Sequence, residues 1–385
     1  MLFLFGSRCQ SMLQLQLLGE QNPTLFLLIT LIYVLFFLVF ILGGTRIQVR
    51  VWLLQIGDFV RQIEAWSEEG KKIAVRAVRE SGGDKEVAAF VERMLDFVFI
   101  EPVERDPVGV LKRLEHLLDV RRIRFRGLIE EVALQADAER IANLEMVLEA
   151  ASALRQLFFI LRHYYIMSRE SGNIALVSQL QVMIPFLSRI ALAYREALNA
   201  FYHGKPIGDG AGALVASLLV RELKGEEGFR DFNGELVRAD AMYKGREVVI
   251  LRAKGPGGRV GKPGDGVLRV LKEKRGKVRR IIMIDAGLKF EGEDTGKVVE
   301  GVGAAIGGPG VDKYKIEVGA VEEEVAIDAV VIKMSLEEAL TTMKKEIVKG
   351  VMEAKERVKE IIERFTSEGD AVVVVGVGNC IGIGN

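Results

Sequence analysis

Residues 25–44 are 20 consecutive positions without a charge, close to the ~20 that a helix needs to cross a bilayer. The run exceeds the roughly 7 to 15 residues of a signal-peptide core and no small-residue cleavage site follows it, so it predicts a retained single-pass anchor. Beyond it, residues 45–203 repeat apolar positions at helical spacing. Ile47, Val51, Leu54, Phe59 and Ile63 trace one stripe, and Val87, Phe90, Val91, Met94, Leu95 and Val98 another. Turn signals at 81–84, 102–107 and 171–173 divide this region into five or six helices. Aromatic and aliphatic positions in 153–202, among them Leu157, Phe158, Leu161, Tyr164, Tyr165, Phe186, Leu187 and Tyr194, are expected to be packing residues.

Near His203 glycine becomes frequent and β-branched runs appear. Strands are predicted at 247–251, 278–284, 313–318, 327–333 and 371–375, and helices at 213–223, 266–274 and 336–365. The last helix opens on the N-cap signal Ser335 with Glu338 three residues on. Strands alternating with helices predict a three-layer α/β domain with a mainly parallel sheet. The fold class is α plus α/β: a short tail 1–24, a transmembrane helix 25–44, an all-helical neck 45–203 and an α/β domain 204–385 with glycine-rich loops.

Charge adds an orientation. Arg46, Arg50, Arg61, Lys71 and Lys72 follow the apolar run whereas the N-terminal flank offers Arg8, so everything after the anchor is expected on the cytoplasmic side of the cell membrane. Met12 is an alternative start. The 53 basic residues are balanced by 53 acidic ones, which argues against a nucleic-acid binder. Cys9 and Cys380 lie at opposite ends without metal-ligand spacing, which argues against a disulfide framework or structural zinc. His116, His163 and His203 read as ordinary surface or core residues. The basic run Arg121, Arg122, Arg124 and Arg126 is expected to pair with Glu130 and Glu131 rather than with lipid headgroups. The helical neck is the expected surface for a homo-oligomer.

Candidate chemistry is densest at 279–311. The apolar run 281–284 reads as a buried parallel strand, and Asp285 stands at its carboxyl end, where open α/β sheets place their ligands. The following loop carries Glu291, Glu293 and Thr295, then Gly307 and Gly308 among several glycines that allow close backbone approach to a ligand. A second glycine turn, with Gly208, Asp209, Gly210 and Gly212, runs into a helix. A third, with Gly376, Gly378 and Asn379, follows the four valines 372–375. Such turns at helix N-termini attract anions, yet neither GxGxxG nor GxxxxGK[ST] is present. Four consecutive valines predict a central strand beside 281–284, so that both end at one sheet edge. Residues 255–266 look like a phosphate cradle without its Lys-Ser/Thr pair and read equally well as a surface loop.

The chain as a whole resembles the domain-of-unknown-function 1512 family, an archaeal family whose members end in a GVGN-type segment, as this one does near Asn379. More distantly, VVVGVGN at 373–379, IGDGAGALVA at 207–216 and IIMIDA at 281–286 are similar to elements of the hydrogenase-maturation and spore-germination endopeptidases, in circularly permuted order. That resemblance implies a peptidase-like hydrolase with Asp209 and Asp285 at the two acidic positions. They would act as an acid/base pair or as ligands of a divalent metal ion, with Asn379 orienting a substrate carbonyl. The maturation enzymes' histidine ligand has no counterpart here, which favours the carboxylate-only chemistry of the germination kind. The alternatives are a non-catalytic module that binds a nucleotide or phosphorylated ligand through Lys254, Lys262 and Lys289, or a membrane scaffold.

Overall fold

The computed structural model describes residues 23–84, 86–102, 109–223 and 228–384. The tail before residue 23, with Met12, and the turn at 103–107 lie outside the described residues. Five helices lead the chain: α1 (Pro23–Arg79), α2 (Val87–Leu95), α3 (Val110–Val132), α4 (Ala138–Ser171) and α5 (Ile174–Tyr202). The uncharged run belongs to α1, which continues through Gly43 and Gly44 for 57 residues. By length and composition α1 is apolar enough to cross a membrane, and so is α5.

The described residues fall into two compact units, Met1–Gln62 with Ile160–Pro185 and Ile63–Phe159 with Phe186–Asn385. Within the first, the Gln181 amide donates to Gln55 at 2.8 Å, and Gly57 backs onto the Tyr165 hydroxyl. Within the second, Arg195 makes two bonds to Glu69, and Arg140 reaches Ser81, Ala77 and Tyr202. The basic run is paired as expected on Glu130, through Arg126, while Arg121 and Arg122 take Glu149 and Glu235. The packing role assigned to the 153–202 aromatics holds for Phe158 and Leu161, which are buried, and fails for Tyr164 and Phe186. Those two stand exposed because the helices are apolar around more of their circumference than their neighbours cover.

The second unit contains a seven-stranded sheet in the order β1-β2-β3-β7-β4-β6-β5. Its elements are β1 (Arg230–Asp231), β2 (Leu236–Tyr243), β3 (Arg246–Ala253), β4 (Val278–Leu288), β5 (Val298–Val302), β6 (Ala326–Met334) and β7 (Ala371–Gly376). The helices are α6 (Ala211–Leu223), entered through the 3-10 turn Gly208–Gly210, α7 (Pro263–Glu273), α8 (Val311–Glu322), α9 (Leu336–Leu340) and α10 (Lys345–Phe365). The sheet is mixed rather than mainly parallel. β3, β7, β4 and β6 run parallel, but β1, β2 and β3 form an antiparallel meander and β5 returns antiparallel on β6. The β2–β3 turn is made by Lys244 and Gly245, both at positive φ, the conformation whose twist suits a two-residue hairpin.

The valine run lies in the middle of the sheet, between β3 and β4. Val372 and Val374 pack toward α6 and α10, and Val373 and Val375 toward α7 and α8, giving the three layers. Fully burying one such side chain contributes about 1.5–3 kcal/mol, so an alternating polar residue here has no face to occupy.

Two predicted elements differ. Residues 313–318 are helical, within α8. Tyr314, Ile316 and Val318 alternate like a strand, but Val311, Ile316, Gly319 and Ala320 are the buried positions and follow a helical period. The predicted helix 336–365 is two helices. Its capping box forms as expected, with Ser335 accepting the Glu338 N–H. At Thr341–Lys344 the chain then turns extended, because the Met343 N–H donates to Pro206 O and the Gly208 N–H to Thr341 O. Ile207 and Thr342 form an antiparallel bridge there, which fixes the turn that carries Asp209.

Candidate functional site

β7 ends at Gly376, level with Ile284, whereas β4 runs on to Leu288, so Asp285 lies inside β4 opposite Val331 of β6 rather than at the end of its strand. The chain past β7 hydrogen-bonds onto Ile284 O through the Val377 N–H at 2.8 Å. Asp285 stands one residue beyond the level at which β7 ends. The 3-10 turn with Asp209 meets the chain past β7, where the Asn379 N–H donates to Asp209 Oδ2 at 3.1 Å. Three stretches separated by 76 and 94 residues therefore converge on one point, Asp209, Asp285 and Asn379.

The glycines make the convergence possible. A Cβ on Gly212 would lie 2.2 Å from Ile284 O and 2.4 Å from Val377 O, so only glycine lets α6 start directly on β4 and the end of β7. Gly378, at φ 124°, sits where a Cβ would be 2.0 Å from Asp209 O. Gly208, Gly210 and Gly376 are likewise backed by Glu338 O, Asn379 O and Gly212 O. The close approach these five residues permit is therefore by the protein's own backbone.

Burial raises the pKa of Asp285 to about 7, helped by the like charge of Asp209 and opposed by N–H donors from Ala286 and Gly307. Burial also raises Asp209, against the stabilising Asn379 N–H. As whole residues, Asp209 and Asp285 are only partly buried. A cavity of about 310 Å³ includes Gly258 and Pro309 in its wall. Gly258 abuts the Asn379 amide, and Pro309 follows Gly307 by two residues. The Asn379 side chain is buried and accepts the Ile381 N–H at 2.8 Å, so what it gives the site is its backbone N–H.

The remaining candidates are engaged elsewhere. The Thr295 hydroxyl donates to Glu338 and accepts from Lys289, Glu293 accepts the Phe290 N–H and pairs with Lys333, and exposed Glu291 pairs with Arg189. Glu291, Glu338 and Lys344 wall a second cavity of about 560 Å³. Gly307 reaches the site through its N–H, and Gly308 turns the loop at φ 87°. The candidate phosphate contacts are all paired: Lys254 with Asp231, Lys262 with Asp119, Lys289 with Glu338. The loop 255–266 is tied down by the two-pronged Arg259–Glu145 pair.

Sequence reasoning missed Arg252, wholly buried at the end of β3 with its guanidinium 3.6 Å from Cys380 Sγ and 3.2 Å from Gly384 O. An arginine closing the apolar run of β3 was the available signal. Among the described residues no group of three or more His, Cys, Asp or Glu side chains is placed to hold a metal ion. Each carboxyl already accepts a backbone N–H, and Asp209 acts on Asp285 through its like charge.

A helical N-terminal part followed by a mixed sheet between helix layers, with an acidic pair beside the carboxyl end of β7, defines an α/β protein with its candidate chemistry on the usual side of the sheet. The chain belongs to the DUF1512 family of unknown function: the N-terminal domain of that family matches residues 30–204 and its C-terminal domain residues 207–384. No curated protein matches it. Among solved structures, a Mycobacterium tuberculosis proteasome-assembly chaperone homologue is similar at 15% identity, covering 41% of this chain and 81% of that one with a TM-score of 0.28.

Proposed function

We propose that the chain is a membrane-anchored hydrolase of the amide-cleaving kind, with the Asp209–Asp285 pair as its reactive centre. The observation that carries this reading is the pair itself: two carboxyls from distant elements, interacting beside the carboxyl end of β7, one with its pKa raised to about 7. Burial, with the like charge of Asp209, favours a state in which Asp285 is neutral and its partner ionised. The ionised member takes a proton from water, whose oxygen adds to the substrate carbonyl carbon. The neutral member protonates the carbonyl oxygen and the proton is passed on to the departing amine as the C–N bond breaks. The N–H groups of Asn379, Ala286 and Gly307 hold the two carboxyls in place.

The anchor is the uncharged run of α1, and its basic C-terminal flank directs the remaining chain to the cytoplasm. The phosphate-binding alternative is the weaker reading, because each lysine proposed for it is held by a carboxylate. The test is to incubate the full chain in detergent with a complex peptide library and read new termini by mass spectrometry. Cleavage by wild type, absent in Asp209→Asn and Asp285→Asn of unchanged melting behaviour at low pH, is expected. No cleavage by wild type, or equal cleavage by both variants, removes the hydrolase.

A further inference from the structure

We infer that the hairpin joining α4 to α5 is a second membrane-contacting element that lies on an anionic bilayer surface. This rests on the anchor proposed for α1. Residues 171–188 are 18 consecutive positions without a charge, and α5 has the length and composition of a membrane span while most of its apolar stretch is uncovered by protein. The hairpin shares one compact unit with the uncharged run: Ile160–Pro185 groups with the chain up to Gln62, through the Gln55–Gln181 bond and the Gly57–Tyr165 contact.

The hairpin is apolar on two sides. Leu161, Val177 and Leu180 are buried, yet Val182 is 77% exposed, Ile160 55% and Ile174 45%. A helix that faces water on one side normally turns polar residues outward, and one that is apolar all round belongs in a core or in lipid. Charge selects between a bilayer and a second copy of this chain. The described residues of the unit carry Arg46, Arg50, Arg61, Arg162 and Arg169 against Asp58 and Glu170. A symmetric contact sets this surplus against itself, whereas anionic headgroups complement it, each basic group near the surface being worth about 1 kcal/mol.

The test places a nitroxide at Val182→Cys in full-length protein carrying Cys9→Ser; Cys380 is buried and stays unlabelled. The protein is reconstituted in vesicles of equimolar phosphatidylcholine and phosphatidylglycerol. Collision with oxygen, which concentrates in lipid, is compared with collision with a water-soluble nickel chelate. Leu35→Cys in the uncharged run is the lipid reference, and Leu134→Cys, exposed outside this unit, is the aqueous one. The expected result is an oxygen-to-nickel ratio at Val182 severalfold above Leu134 and below Leu35, as for a surface-lying element, reduced when phosphatidylglycerol is omitted. A lipid-like Leu35 with a water-like Val182 overturns the hairpin inference alone. Val182 shielded from both reagents overturns it in favour of a second copy. A water-like Leu35 overturns the anchor and this inference with it.

Discussion

Asp285→Asn should make the protein more stable at alkaline pH while removing the proposed hydrolysis. The carboxyl titrates at about 7 in the folded chain against an ordinary 3.8. Because the folded-state value is the raised one, the folded protein keeps a proton that the unfolded chain loses as pH rises above the ordinary value. The folded state is thus unpenalised below about pH 4, loses stability as pH climbs, and carries the whole penalty above about 7. At roughly 1.4 kcal/mol per pK unit that penalty reaches ~4 kcal/mol. Because Asp285 as a residue is only partly buried, that figure is discounted to roughly 2 kcal/mol. Asparagine retains an oxygen for the Ala286 and Gly307 N–H groups and carries no charge, so it imitates the neutral acid at every pH. For a folding unit of this size, ~2 kcal/mol is about 4–8 °C in Tm. Thermal melts of the full chain in mild detergent should show the variant higher by about that amount near pH 8 and level with wild type near pH 4. A Tm difference that is the same at both pH values would refute the reasoning, because the stability change would then have no link to ionisation.

Gly212→Ala puts a methyl group into Ile284 O and Val377 O, which are backbone and yield little. A loss of about 1–3 kcal/mol in urea unfolding is expected, with the site chemistry impaired as well, and wild-type stability would contradict the packing argument. Glu338 is held near pKa 2, against the effect of burial, by the Ser335 N–H, Lys344 and Thr295. Its contribution is present above the ordinary 4.5 and lost as pH falls toward 2, so Glu338→Gln should cost about 1 kcal/mol near neutral pH and converge with wild type in acid, read by pH-dependent melts. A reporter active only outside the cytoplasm, fused after Asn385, should stay silent; its activity would reverse the proposed orientation.

How far the site could be read in the sequence depended on what each signal constrained. Val372 to Val375 fixed their own place, since four β-branched residues in a row need cover on both faces, and that placement carried Gly376 to the level of Ile284 and so Asn379 toward Asp285. The capping box at Ser335 was readable because it is local. The break at 341–344 was not, because it is imposed by Pro206 and Gly208 from a distant stretch. β2 was hidden by Arg238 and Asp240, which pair with each other across what reads as a polar interruption. α8 was misread because Tyr314, Ile316 and Val318 fit both periods, and only the depth of Val311 and Ala320 separates them. Glycines at Gly208, Gly210 and Gly212 looked alike whether they admitted a ligand or a neighbouring strand end, since both uses demand the same missing Cβ.

The central claim is that burial and the like charge of Asp209 keep Asp285 protonated toward neutral pH, and the most direct measurement is infrared titration of the protonated-carboxyl band in the full-length protein. The account predicts a band that persists above the ordinary carboxylate range, disappears with an apparent pKa near 7, is absent in Asp285→Asn, and titrates lower in Asp209→Asn, where the like charge is gone. A band already lost at the ordinary carboxylate pKa, or one unchanged in both variants, would contradict it.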